Sequence, residues 1–202
     1  MLDYAQKFSS GGDQSQETIQ FNRAILALAY LKAGNTEMFS KLTDEMRKSL
    51  IEDSPNQQAR FEYTLGAGSY EQGKYDAALE HFGKAAQWLA PNHIPPLTVA
   101  VAHLKTGRIA ESVEELKKIS MWVAVDVEQY TLSFLPLLEN LWTASVKAHY
   151  WLGVAYEQQG QKNQAMKEYE KFLEIWKDAD FKSREIEDAR VRVAKLKGMA
   201  AK

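Results

Sequence analysis

The chain has 202 residues, a formal net charge of -2 and 45% apolar side chains, the profile of one packed domain or a compact pair. An aromatic share of 11% excludes a disordered chain, which is poor in large apolar groups and strongly charged. The near-neutral balance gives no basic field for a nucleic acid, and the absence of cysteine removes disulfides, thiolate metal sites and thiol nucleophiles.

Five prolines and eleven glycines leave room for long helices, and Ala, Leu, Glu, Lys and Gln are abundant, so the composition predicts an all-α protein. The longest apolar runs, such as residues 25–31, fall far below the ~18 residues of a membrane span. Residues 1–10 lack the basic start and apolar stretch of a secretion signal. No membrane association is expected, and the compartment stays open with the cytoplasm favoured.

Residues 1–19, with Gly11 and Gly12 beside Ser9, Ser10 and Asp13, read as a helix remnant followed by a tether, as in a piece of a longer polypeptide. From there the chain repeats. Helix-like segments close at Gly34, Gly73, Gly107 and Gly160, where glycine suits a left-handed helix end. Seven residues before each stands a small residue, Ala27, Gly66, Ala100 and Gly153, two turns earlier on the same face. Five residues after the last three glycines come Ala78, Ser112 and Ala165, and four further Phe82, Leu116 and Tyr169. One unit is thus helix, tight turn, helix. Gly66 and Gly153 cost ~1 kcal/mol each inside a helix, and close approach of the paired helix, with Phe82 or Tyr169 filling the space, offsets that cost. Asn35 with Thr36, Asp76 and Asn163 offer oxygens to cap the following helices.

The closing glycines are 39, 34 and 53 residues apart, and the middle value matches the about 34-residue period of an uninterrupted array. The excess in the first interval falls at 54–58, where Ser54 and Pro55 interrupt the helix, and that in the last at 127–145. Units are expected at 20–53, 59–92, 93–126 and 146–179, followed by a helix at 183–197. That helix carries Ile186, Ala189, Val193 and Leu196 on one stripe, with acids early and bases late, as a capping element should. Residues 121–142, with Met121, Trp122, Val123, Phe134, Leu135 and Trp142, are too apolar to sit in water and must bury against the chain or another surface. Pro136 argues against one uninterrupted helix there.

Leu152, Gly153, Tyr156, Ala165 and Tyr169 resemble the pattern of the tetratricopeptide repeat (TPR). Leu65, Gly66, Ala78, Phe82 and Ala85 are similar. Val99, Ala100, Ser112, Leu116 and Ile119 form a degenerate version, and Leu26, Ala27, Tyr30 and Gly34 begin one that departs at Phe39 and Thr43. The resemblance implies an α-α superhelix, a TPR-like solenoid of about four helix-turn-helix units with a C-terminal capping helix. The stretch 150–180 also resembles the C-terminal repeats of large bacterial multidomain signalling proteins.

No catalytic constellation emerges. His81, His93, His103 and His149 show no metal-ligand spacing. Gly66-x-Gly68 lies inside a predicted helix and lacks the lysine-serine pair of a phosphate loop. Glu111, Glu114 and Glu115 share a lysine-rich helix and read as a solvated face. The chain is expected to be no enzyme and to hold no metal or cofactor.

In a curved stack the first helix of each unit lines the inner surface, so the partner-binding candidates are Arg60, Tyr63, Tyr70, Leu97, Val101, Lys147, Tyr150 and Trp151. Aromatics at helical spacing are as often core, and both readings stay open. Some chaperone-binding members of the family grip a peptide carboxylate with lysines, asparagines and an arginine. The matching places here hold Tyr63, Ala67, Thr98, Lys147 and Trp151, and Lys147 alone agrees, so that clamp is absent. The function implied is a scaffold that binds a peptide or partner helix in an aromatic-lined concave groove. The alternative is a structural, oligomerisation or regulatory module of a larger bacterial signalling protein, packing through residues 121–142 as a homodimer contact or against other domains.

Overall fold

The computed structural model of the chain describes residues 15–88, 97–121, 141–178 and 183–200. Among the described residues there are nine helices and no strand. They fall into two compact units, one up to residue 93 and one from residue 94. The apolar stretch 122–140, residues 1–14 and His93 lie outside the described residues; of the helix remnant and tether expected at 1–19, residues 16–19 are the first turn of a helix capped by Ser15.

The first unit contains α1 (Gln16–Lys32), α2 (Thr36–Lys48), α3 (Pro55–Glu71) and α4 (Tyr75–Ala86). Ser15 caps α1 by accepting from the Thr18 amide at 3.3 Å, and Asn35 caps α2 by accepting from Met38 at 3.0 Å, each worth ~1 kcal/mol. Pro55 begins α3 at its first turn, with Ser54 accepting from the Gln57 amide. Proline fits there because that N–H has no helical partner, so the Ser-Pro pair starts a helix four residues before the unit boundary expected at 59.

The second unit contains α5 (Leu97–Lys105), α6 (Ile109–Ser120), α7 (Leu141–Gln158), α8 (Lys162–Ile175) and α9 (Arg184–Ala200). Helix α7 begins at Leu141, inside the stretch 127–145 that the repeat spacing set aside as an insertion. Its backbone helix therefore extends more than one turn upstream of residue 146.

Each helix pair turns on one of the four spaced glycines, whose φ angles are 78°, 72°, 80° and 73° at Gly34, Gly73, Gly107 and Gly160. The hydrogen bonding repeats with them. The glycine amide donates back to Leu31, Tyr70, Leu104 and Glu157, and the following amide to Tyr30, Ser69, His103 and Tyr156. This double closure satisfies carbonyls that the helix end leaves open. It also places Lys74 and Gln161 at the N-cap positions of α4 and α8, without side-chain cap bonds. Asp76 and Asn163 are displaced into the first turn and are not the N-caps expected from sequence.

The small residues mark the closest approaches. A Cβ built on Gly66 would lie 2.6 Å from a Phe82 ring carbon, and one on Gly153 2.6 and 2.7 Å from Tyr169 ring carbons. Both rings are buried. Where the equivalent small residue is alanine, the large one shrinks: Ala100 stands with Leu116 and Ala27 with Thr43, all buried. Glycine therefore goes with an aromatic ring and alanine with a smaller side chain.

The departure at Phe39 and Thr43 has the same logic. Phe39 occupies the place of Ala78, Ser112 and Ala165, and a Cβ on Gly68 of α3 would come 2.7 Å from its ring. The ring is thus directed at the following first helix, and Gly68 gives it room. Ala24, Met46 and Phe61 complete the core of this unit, with Leu50 and Leu65 against them.

Candidate functional site

In the first unit, Arg60 is 5% exposed. Its guanidinium lies 5.3 Å from the centre of the Phe21 ring, and Nη1 is 3.2 Å from the Glu17 carbonyl and 3.4 Å from its Oε2. The same carboxylate accepts from Ser54 Oγ at 2.7 Å and Gln57 Nε2 at 3.2 Å. Burial works to raise the Glu17 carboxyl, and these three donors together hold it below its ordinary value. Arg60 therefore ties α3 to α1, the first helix of the preceding pair. Tyr63 is buried with its ring 5.2 Å from Phe82. Tyr70 is half-buried and meets Tyr75 edge-on at 5.5 Å.

In the second unit, Leu97 and Val101 are buried. Lys147 keeps part of its side chain in solvent, with Nζ 3.2 Å from Glu185 of α9. Tyr150 is buried and its hydroxyl donates to Asp188 of α9 at 2.7 Å. Burial first, then that bond, pushes the hydroxyl far above its ordinary pKa. Trp151 is half-buried, 5.1 Å edge-on from Tyr150, with the exposed Lys105 ammonium 5.5 Å from its ring centre, a cation-π arrangement. Thr98 on α5 has a buried Oγ1 with no hydrogen-bond partner.

The eight candidates thus divide by surroundings. Arg60, Tyr63, Leu97, Val101 and Tyr150 lie buried, Lys147 is engaged with an acid of the neighbouring first helix, and Tyr70 and Trp151 remain partly open to solvent. Arg60 and Lys147 both stand six residues before the small residue of their units, Gly66 and Gly153. One reaches back to Glu17 and the other forward to Glu185.

Two polar arrangements were not anticipated from sequence. Arg192 of α9 places Nη1 2.5 Å from Glu157 and also contacts Asp188, while Tyr169 donates to Glu157 at 2.6 Å. This network joins α7, α8 and α9. The histidines form the second. His81 Nδ1 is 2.8 Å from Glu62, and His149 Nδ1 is 2.6 Å from Glu168. Glu62 and His149 both precede their unit's small glycine by four residues, and His81 and Glu168 both follow the closing glycine by eight. The same bridge between paired helices is therefore built twice, with acid and imidazole exchanged. Register comparison alone could have found it. Among the described residues no group of three or more His, Asp and Glu side chains could hold a metal ion, and no helix is long and apolar enough to cross a membrane.

Tetratricopeptide repeat family models match residues 69–132 and residues 146–175. Two crystal structures of nearly identical TPR-like repeats, from a Podosopora anserina protein described as a kinesin light chain, share the fold. The first, a substituted form, has 18% identity and a TM-score of 0.56, covering 91% of this chain and 87% of that one. The second has the same identity and coverages, with a TM-score of 0.55. No curated protein matches the chain. Over those residues the chain matches the tetratricopeptide repeat, and its described residues have the all-α helical-repeat fold of these structures. Repeats of this kind generally mediate contacts between proteins.

Proposed function

We propose that this chain is a non-enzymatic scaffold that binds a peptide or partner helix on the faces of its first helices. The observation that carries this reading is Trp151, which stays half-buried beside the exposed Lys105 ammonium and rests edge-on against the buried Tyr150. A rigid aromatic ring with a cation over its face is the kind of group that dominates binding energy at protein interfaces. Tyr70 of the first unit is likewise partly open to solvent. Lys147 and Arg60 contribute by holding neighbouring first helices in place.

The test is a selection of displayed peptides on the full chain, followed by affinities for Trp151→Ala and Tyr70→Ala. Loss of at least about tenfold with an unchanged helical circular dichroism signal supports the reading. Affinities of both variants equal to that of the parent reject it.

Met121, 72% exposed at the end of α6, favours a second role, packing through the apolar residues 121–142 against a second copy or another domain. Light scattering over a concentration series tests this role, and a strict monomer rejects the dimer form. Membership of a larger bacterial signalling protein rests on the sequence resemblance of residues 150–180.

A further inference from the structure

We propose that the segment bound by this chain is an acidic one, seated in the second unit on a face where Trp151, Val154 and Val191 lie among the uncommitted cations Lys105, Arg184 and Lys195. The inference rests on the reading of the chain as a peptide-binding scaffold and names the chemistry of its partner.

A run of contacts brings α5, α7 and α9 onto one face. The Lys105 ammonium of α5 stands 5.5 Å from the centre of the Trp151 ring of α7, that ring is 5.1 Å from Tyr150, and the Tyr150 hydroxyl donates to Asp188 of α9 at 2.7 Å. Lys147 with Glu185 and Glu157 with Arg192 follow the same order along both helices, so α7 and α9 run side by side in one direction. On α9, Ile186, Ala189 and Leu196 are buried, while Glu185, Asp188 and Arg192 form the edge toward α7. Arg184, Asp188, Val191 and Lys195 recur at steps of four, three and four residues, which makes one stripe of a helix beside that edge. Lys147, Trp151, Val154 and Gln158 recur in the same way on α7.

The charges on this face do not balance. Its acids are already occupied, Glu185 by Lys147, Asp188 by Tyr150 and Arg192, and Glu157 by Tyr169 and Arg192. Helix α5 contributes no acid, and Glu157 is the only one on α7. Glu187 lies on the side of the α9 stripe away from α7, three residues from both Arg184 and Arg190. Lys105, Arg184 and Lys195 are exposed, and among the described residues none of them is paired with a carboxylate.

Apolar surface lies between these cations. Trp151 and Val154 are half-buried, and Val191 is 67% exposed. A protein segment whose carboxylates are separated by apolar side chains matches both features, and charge complementarity of this kind selects the partner and speeds its arrival. A nucleic acid matches only the charge, and a few cations on a chain of net charge -2 give too few phosphate contacts to hold one. Lys147, which agrees with the terminal-carboxylate clamp, is spent on Glu185, so the face has no need of a free chain end.

The experiment selects peptides from a random displayed library on the full chain. A recovered peptide is then measured by fluorescence anisotropy against the parent and against Lys105→Glu/Arg184→Glu/Lys195→Glu. Recovered peptides should be enriched in Asp and Glu interspersed with apolar residues. Affinity should fall at least about fivefold in the triple variant, and parent affinity should weaken as salt rises from about 0.05 to 0.5 M. Neutral or basic peptides overturn the acidic assignment, and their loss on Trp151→Ala leaves peptide binding itself standing. Recovery of no peptide overturns both readings. An acidic peptide that binds the triple variant as tightly as the parent, or a thymidine oligonucleotide that binds the parent as tightly as that peptide, also overturns the proposal. Should the triple variant fail to fold, the salt titration of the parent decides, and an affinity unaltered by salt overturns it.

Discussion

Gly153→Ala tests the account of helix pairing directly. Replacing a helical glycine with alanine ordinarily stabilises by ~1 kcal/mol. Here the new methyl would stand 2.6 and 2.7 Å from Tyr169 ring carbons, far inside van der Waals contact. The ring has little freedom to retreat, because Tyr169 is fully buried, its hydroxyl is held by Glu157 and its ring centre is 6.0 Å from that of Tyr150. Overpacking of this kind costs ~1 to 3 kcal/mol, so the helix gain is cancelled or exceeded and the expected net loss reaches up to about 2 kcal/mol. Urea unfolding followed by circular dichroism reads this as a midpoint lowered by up to roughly 1 M. In a Tyr169→Leu background the sign should reverse, since Leu116 stands with Ala100 in the neighbouring unit. A Gly153→Ala protein more stable than the parent by the ordinary ~1 kcal/mol, or an identical change in the leucine background, refutes the packing argument.

Gly160→Ala meets no atoms within 4 Å but would force alanine to a φ of 73°, so a loss of about 1 kcal/mol should appear in the same unfolding assay, unrelieved by any neighbouring substitution. Arg192→Met leaves Glu157 and Asp188 without their shared cation and should destabilise by about 1 to 2 kcal/mol, read most sharply as faster hydrogen exchange in α9 than in α5. The Glu17 carboxyl, held below its ordinary 4.5 in the folded chain, contributes stability present above that value and lost as pH falls through the folded pKa. Glu17→Gln should therefore flatten the acid limb of the stability profile, and an unaltered limb would contradict the described Ser54, Gln57 and Arg60 contacts.

The turns were legible because one residue type decides each of them. A glycine in the left-handed region ends a helix on local grounds, and the four positions could be read from spacing alone. The close contacts at Gly66 and Gly153 were legible for a similar reason, since glycine within a helix requires a compensating neighbour at a fixed offset. Asn35 could be identified as a cap, but Lys74 and Gln161 could not, because the double hydrogen bond of the turn, not a side chain, sets where α4 and α8 begin. Gly68 was set aside as part of a failed phosphate motif, and its role depends on Phe39, 29 residues earlier in the chain.

The surroundings of the candidate site were the least visible. Helical spacing put Arg60 and Lys147 on the right element, but Glu17 lies 43 residues before Arg60, and no periodicity within one unit reports a bond between successive first helices. Tyr150 likewise meets Asp188 across 38 residues. Burial of such groups depends on which helix is laid beside them, a property of the stack and not of the strip of residues on one helix.

The pairing of Phe39 with Gly68 means that these units are not interchangeable bricks. A copy of the α1–α2 pair placed ahead of α7 would direct the same ring at Ala155, which stands two residues after Gly153 as Gly68 stands two after Gly66, and a methyl would occupy the hollow that the ring requires. Duplication or shuffling of repeats in this chain would therefore be penalised at the seam, and the sequential arrangement of its modules is written into the size of single side chains.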